Sequence, residues 1–297
     1  MTKENLVNLF LDSGAFSAFT QGVEIDIQEY IDFIKEHDKY LEVYANLDVI
    51  GSAKKTWENQ KIMEAAGLNP LPCFHYGEPV RYLNRYIDNY EYVALGGMVP
   101  ISTNDLQQWL DDLFLNYFCD KKGLPKVKAH GFGLTSHKLM WRYPWYSVDS
   151  TSWVVTGRLG SVLVPKYRKG EWNYRIEPWK VAVSNRSPSK KEVGKHFSTF
   201  TSMQQEAIQQ YLNEKEYIIG LSSFRIENEN YELKDNEKWH GKAEDNKREV
   251  ELIEEVGLCN DYKMRDEINI MYYLNLEKSF PTWPYPLSIK NKSQGLL

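Results

Sequence analysis

Apolar and polar positions follow a repeating order along the first half of the chain. The apolar run Leu9–Leu11 reads as a short strand. Ile27, Tyr30, Ile31 and Ile34 then recur at helical spacing, which predicts a helix over Ile27–His37. Tyr40 to Ile50 alternates and ends in Asn46-Leu-Asp48, and Lys54–Ala66 reads as a helix closed by Gly67. Leu71–Phe74 predicts a strand ending in His75-Tyr-Gly-Glu78, with a helix over Val80–Ile87. Tyr92–Leu95 runs into Gly96-Gly97, and Asn104–Phe118 is helical. Lys126–Ala129 runs into His130-Gly-Phe-Gly133. A short helix, His137–Trp141, leads to a last strand, Tyr146–Val148, which delivers Asp149 into a run of hydroxyls.

Six strand-then-helix steps in so few residues imply parallel strands with helical crossovers. Polar or glycine residues recur just past each strand. The expectation is therefore an α/β fold, a TIM-type (β/α)8 barrel with its site on that rim. Val162–Val164 and Lys180–Val183 supply the remaining strands. A helix is expected from Lys190 to Leu212 and another near Arg248–Val256. Met264–Leu274 fits either a helix or a strand, and Phe280–Pro286 is irregular. The expected division is a barrel core over 1–190 and a less regular C-terminal part over 191–297.

Composition adds little to this. The 297 residues are those of a water-soluble globular protein, with aromatics raised to 14%. No apolar run reaches membrane-spanning length. The opening Met-Thr-Lys-Glu-Asn lacks a signal-peptide core, so a cytoplasmic protein is expected. Cys73, Cys119 and Cys259 are too scattered for a disulfide framework or a clustered metal motif, and no metal is expected. Charge is more informative. Between Gly157 and His196 stand ten Lys or Arg against three Glu, a local +7 in a chain of −5. Arg158, Lys166, Arg168 and Lys169, interleaved with Tyr167, Trp172, Tyr174 and Trp179, fit phosphate contacts; a solvated charged face fits them equally.

The candidate chemistry sits at the strand ends. Asp12 and Asp149 are far apart in sequence, and each follows an apolar strand. A pair of carboxylates suits chemistry at an anomeric carbon, one as nucleophile and one moving protons. Asp48 is a third acid, suited to the amino and imino groups of a purine. Gly96 and Gly97 open the backbone to a planar ligand, and Phe16 and His130 are rings that can sandwich it. Each also has an ordinary use: Asp149 as a turn anchor, Phe16 as core, His130 as a bonded core imidazole.

These residues resemble a family. Asp12-Ser13-Gly-Ala-Phe16 is similar to the DSGGF signature of the tRNA-guanine transglycosylases, whose aspartate is the general acid/base and whose aromatic stacks on the exchanged base. Asn46-Leu-Asp48 resembles the strand whose aspartate reads the purine edge. Phe74-His75-Tyr76-Gly77 falls where the family has a base-binding Gln-Gly pair, with the glutamine missing. Ala94-Leu-Gly96-Gly97 resembles the family's Gly-Gly strand end, and His130-Gly131-Phe-Gly133 its M-G-V-G. Val148-Asp149, followed by Gly157-Arg158, resembles the region carrying the nucleophilic aspartate. The resemblance covers roughly residues 9–165. The family's CxCxxC…H zinc site is absent, and the chain is shorter. His130-Gly-Phe-Gly-Leu-Thr-Ser136 and Arg142-Tyr-Pro-Trp-Tyr-Ser-Val-Asp149 look more like the phage and bacterial branch that inserts 7-deazaguanines into DNA.

The resemblance implies replacement of guanine in a polynucleotide, DNA or tRNA, by a free 7-deazaguanine base such as 7-cyano-7-deazaguanine. Asp149 is then the nucleophile and Asp12 the proton-transfer residue. Ser13, Phe16, Asp48, His75, Tyr76, Gly96, Gly97, His130 and Gly131 contact the base, and no cofactor takes part. A nucleoside or glycoside hydrolase, or a protein that only binds nucleic acid through the basic segment, remain open alternatives.

Overall fold

The structure is a computed structural model and describes residues 9–134, 136–187, 189 and 192–288. Thr135 of the quoted motif and Lys190 and Lys191 of the basic segment lie outside these residues. The chain divides into two compact units. One is formed by 1–150 with 281–297, the other by 151–280. The division expected at residue 190 thus falls inside the second unit.

Apart from an additional helix, Ala15–Gln21, after the first strand, the first unit alternates strands and helices in the expected order. They are β1 (Leu9–Leu11), α1 (Ala15–Gln21), α2 (Ile27–His37), β2 (Leu41–Tyr44), α3 (Ala53–Ala65), β3 (Cys73–His75), α4 (Val80–Asn89), β4 (Tyr92–Gly96), α5 (Thr103–Leu113), β5 (Lys128–Gly131), α6 (His137–Arg142) and β6 (Ser147–Val148). β1 pairs with β2, and β3 to β6 form a four-stranded sheet; every pairing is parallel. A single parallel bridge, Ala45 to Leu71, joins the two sheets. Asp26 and Ser52 cap α2 and α3 by accepting backbone N–H bonds, as residues of their type favour. The apolar stripe read over Ile27–His37 is the buried one. Tyr30, Ile31 and Ile34 pack with Leu47 and Met63.

Residues 281–288 return to this unit. Trp283 donates its indole N–H to the Pro144 carbonyl at 3.3 Å, and Leu287 N–H bonds Gly123 O at 2.9 Å. The Trp283 ring meets Tyr146 edge-on at 5.3 Å. This stretch therefore braces the residue just before β6, the strand that ends in Asp149.

The second unit holds α7 (Ser152–Arg158), β7 (Ser161–Val164), β8 (Lys166–Arg168), β9 (Glu171–Asn173), β10 (Trp179–Ala182), α8 (Ser202–Glu214), β11 (Leu221–Asn228), β12 (Glu237–Glu244), β13 (Lys247–Glu255) and α9 (Tyr262–Ser279). Here the expected barrel fails. The two apolar runs taken as its last strands, β7 and β10, pair with each other and run antiparallel. The chain between them contains the hairpin β8–β9 instead of a crossover helix. β11, β13 and β12 form a separate antiparallel sheet. Among the described residues the strands lie in five sheets of mixed direction, not in one closed eight-stranded parallel barrel. An antiparallel pair cannot supply two successive parallel barrel strands, whatever its apolar pattern.

Three local expectations also change. Arg248–Val256, expected helical, is strand β13. The helix expected from Lys190 begins only at Ser202, where Thr201 and Gln204 form a capping box. Met264–Leu274 is helical. Its ambiguity came from a buried face carrying Arg265 and Asn269 beside Ile268, Tyr272 and Leu276. Asn269 accepts Leu163 N–H at 2.8 Å and Arg265 donates to the Gly157 carbonyl at 2.6 Å, so both polar groups are satisfied. Among the described residues no helix is long and apolar enough to cross a membrane.

Candidate functional site

The carboxyl ends of the parallel strands gather the site in the first unit. Past β1, Asp12 and Ser13 turn through Gly14, at φ 74°, into α1. Ser13 is buried and donates its hydroxyl to Asp48 Oδ1 at 2.7 Å. Asp48, 12% exposed at its side chain, places Oδ2 2.7 Å from His75 Nε2 at the end of β3. The other ring nitrogen, Nδ1, lies 3.1 Å from Glu78 Oε1, and Glu78 Oε2 accepts the His75 backbone N–H at 3.0 Å. The imidazole is therefore clamped between two carboxylates.

Burial opposes a charge on His75, but Cys73, Asp48 and Glu78 outweigh it and raise its pKa far above the usual histidine range. Burial pushes the Cys73 thiol up to about 11, so near pH 7 it carries no charge to aid His75, and the raise there rests on the Asp48 and Glu78 carboxylates. Gly96 makes the close packing feasible. A Cβ there would lie 2.9 Å from both Cys73 Sγ and His75 Cδ2. Gly97 has φ 67°, and its Cβ would lie 3.1 Å from that of His75. The glycine pair thus fits the histidine as well as it would fit a ligand.

Two further acids complete the ring. Burial raises the Asp12 pKa first, and the charges of Asp48 and Asp149 raise it further, against hydrogen bonds from the Gly14 and Ser13 backbone. Asp12 itself is exposed. Asp149 follows β6 and is 48% exposed at its side chain. Its Oδ1 accepts the Gly133 N–H at 2.7 Å. His130 Nε2 stands 3.6 Å from the same oxygen.

The base-binding candidates separate into groups. Phe16 is 53% exposed on α1. His130 is only 2% exposed; Phe10 stacks on its face at 4.5 Å and Phe132 meets its edge, so its ring is already covered on one side. Tyr76 sits edge-on to Trp109 at 5.2 Å. Gly131 is buried beneath Trp145, whose ring a Cβ would meet at 3.2 Å. Arg158, Arg168 and Lys169 are exposed and Lys166 half-buried, all in the second unit. Lys166, Arg168 and Lys169 belong to the hairpin β8–β9, whose tip is Lys169 at φ 54° and Gly170.

Sequence reasoning missed Glu78, Cys73, Ser147, Tyr92 and Phe10. Glu78 stands three residues from His75 across a Gly turn, and Cys73 and His75 share one face of β3 at a spacing of two. Ser147 and Tyr92 come from different strands and left no local signal.

Among the described residues, Asp48, Cys73 and His75 form one group able to hold a metal ion, their donor atoms all within 4.8 Å of one another. The Oδ2–Nε2 separation of 2.7 Å is a hydrogen-bond length. Two ligands at ~2.0–2.1 Å from a tetrahedral ion would stand roughly 3.3 Å apart. The group fits a hydrogen-bonded triad better than a preformed metal cage.

No protein-family model, curated protein or solved structure matches the chain. The arrangement is read from its own chemistry. It is a ring of four acids, Asp12, Asp48, Glu78 and Asp149, around an imidazole at parallel strand ends, where α/β proteins bind ligands.

Proposed function

We propose that the protein is a base-exchange transglycosylase that replaces guanine in DNA with a 7-deazaguanine through a covalent aspartyl intermediate. The reading stands on the site and the motifs around it, not on a closed barrel. The observation that carries it is the unequal setting of Asp12 and Asp149. Both are exposed. The Asp12 carboxyl has its pKa raised by burial and by the charges of Asp48 and Asp149, which suits it to give a proton. Asp149 has one oxygen tied to Gly133 N–H and keeps the other for attack.

The target nucleotide leaves the stack, because its C1′ is unreachable within it. An Asp149 oxygen attacks C1′ as the bond to guanine N9 breaks, and the Asp12 carboxyl gives its proton to the departing purine. The deazapurine then enters. Asp12, now a carboxylate, takes the N9 proton, and N9 displaces Asp149 from C1′. Two inversions give retention. Asp48 keeps lone pairs on both oxygens beyond its bonds to Ser13 and His75, and these can accept purine N–H groups. The exposed Phe16 supplies a stacking face. The basic hairpin of the second unit supplies phosphate contacts.

The test is incubation with labelled guanine or deazaguanine and either DNA or tRNA, followed by denaturing electrophoresis. Label retained in DNA and a retarded protein–DNA band that Asp149→Asn abolishes are the expected results. Label in tRNA alone moves the substrate to RNA. Release of free base without incorporation identifies a hydrolase.

A further inference from the structure

His130 is 2% exposed and stands beside Asp149, and no step of the proposed reaction moves a proton through it. Its Nδ1 lies 2.6 Å from Ser147 Oγ, and Ser147 Oγ lies 2.5 Å from the Tyr92 hydroxyl. Among the described residues its buried Nε2 has no hydrogen-bond partner, yet it faces Asp149 Oδ1 at 3.6 Å. A buried polar nitrogen without a partner is rare enough to require a reason.

The polarity of the chain follows from its ends. Burial pushes the Tyr92 hydroxyl up to about 12, so it keeps its proton. If Tyr92 donates to Ser147, Ser147 donates to Nδ1 and the ring proton resides on Nε2. The reverse order would leave the tyrosine proton needing another acceptor. It would also turn a bare Nε2 lone pair toward a carboxylate. Of the two neutral tautomers, only the first has a donor facing the carboxylate.

We propose that His130 is a positioning residue that presents Nε2–H to Asp149 Oδ1. Together with Gly133 N–H it pins that oxygen and leaves Oδ2 as the attacking atom. Phe10 and Phe132 hold the ring in plane, and Tyr92 and Ser147 set its tautomer. The attacking role of Asp149 rests on the transglycosylase reading; the donor does not.

The full chain, labelled with 15N-histidine, tests the donor directly. The expected His130 spectrum shows Nε2 protonated and Nδ1 bare, with the Nε2 signal moving in Asp149→Ala. A protonated Nδ1 with bare Nε2, or an Nε2 signal indifferent to Asp149, overturns the proposal. Kinetics test the consequence. His130→Phe keeps an aromatic ring between Phe10 and Phe132 but removes the donor, and adduct formation should slow by on the order of 10²-fold. KM for the free base should stay within a factor of about two, as expected for an interaction outside uniform base binding. His130→Gln, which restores an N–H, should recover part of the rate. A raised KM with unchanged kcat would make His130 a base contact and overturn the role. If His130→Phe does not fold, Ser147→Ala should give the same loss of rate by freeing the tautomer; an unchanged rate there overturns the relay. A protonated Nε2 coupled to Asp149, in a protein that exchanges no base, keeps the donor and rejects the transglycosylase reading.

Discussion

His75 Nε2 and Asp48 Oδ2 stand 2.7 Å apart in a nearly dry setting, with Glu78 on the opposite ring nitrogen. The pair joins β3 to the end of the preceding β-segment and fixes the charge state at the floor of the site. Asp48 is thus already neutralised in part before any ligand arrives.

That pairing makes stability depend on pH. The folded-state pKa of His75 is raised above its unfolded value of about 6.5. Its contribution is complete below that value, where both states are protonated, and declines as pH rises toward the folded-state pKa. Between pH 7 and 9 the parent should lose up to about 1.4 kcal/mol per pH unit relative to His75→Gln. Urea unfolding at a series of pH values measures the difference. Parallel curves would show that His75 is neutral in the folded protein.

Asp12 has the same direction of shift. Its pKa is raised by burial and by the charges of Asp48 and Asp149, so ionising it works against folding. Asp12→Asn should raise Tm at pH 7, and the gain should shrink as pH falls and the parent Asp12 becomes protonated. Base exchange should fall by roughly 10²–10⁴-fold, the usual worth of general acid–base catalysis. Scanning calorimetry and the exchange assay give the two readings.

Gly96→Ala should cost stability because the new Cβ lies 2.9 Å from both Cys73 Sγ and His75 Cδ2. Overpacking of this kind costs about 1–3 kcal/mol. By displacing His75 it should also weaken the pH dependence described above. Equilibrium unfolding of the variant at pH 7 and pH 9 measures both effects.

The hairpin β8–β9 carries Lys166, Arg168 and Lys169. If each touches a phosphate, the log–log salt dependence of duplex DNA binding carries about 0.9 per contact. The triple glutamine variant should flatten the slope by roughly 2–3. An unchanged slope places the polymer elsewhere on the protein.

Much of the first unit was legible because strand and helix periods alternate cleanly and each strand ends in polar or glycine residues. That rule singled out Asp12, Asp48 and Asp149 as candidates, and the family resemblance added His75. The tertiary structure decided the rest. Val162–Val164 and Lys180–Val183 have the apolar pattern of buried strands, but periodicity carries no information about direction; the intervening hairpin turned one back along the other. Arg265 and Asn269 blurred a helix whose polar groups are satisfied only by distant backbone. Glu78 on His75, and the Tyr92–Ser147–His130 line toward Asp149, depend on which strands lie side by side. A sequence specifies which groups can bond, and only the packed chain brings a donor from one strand within 3 Å of an acceptor on another.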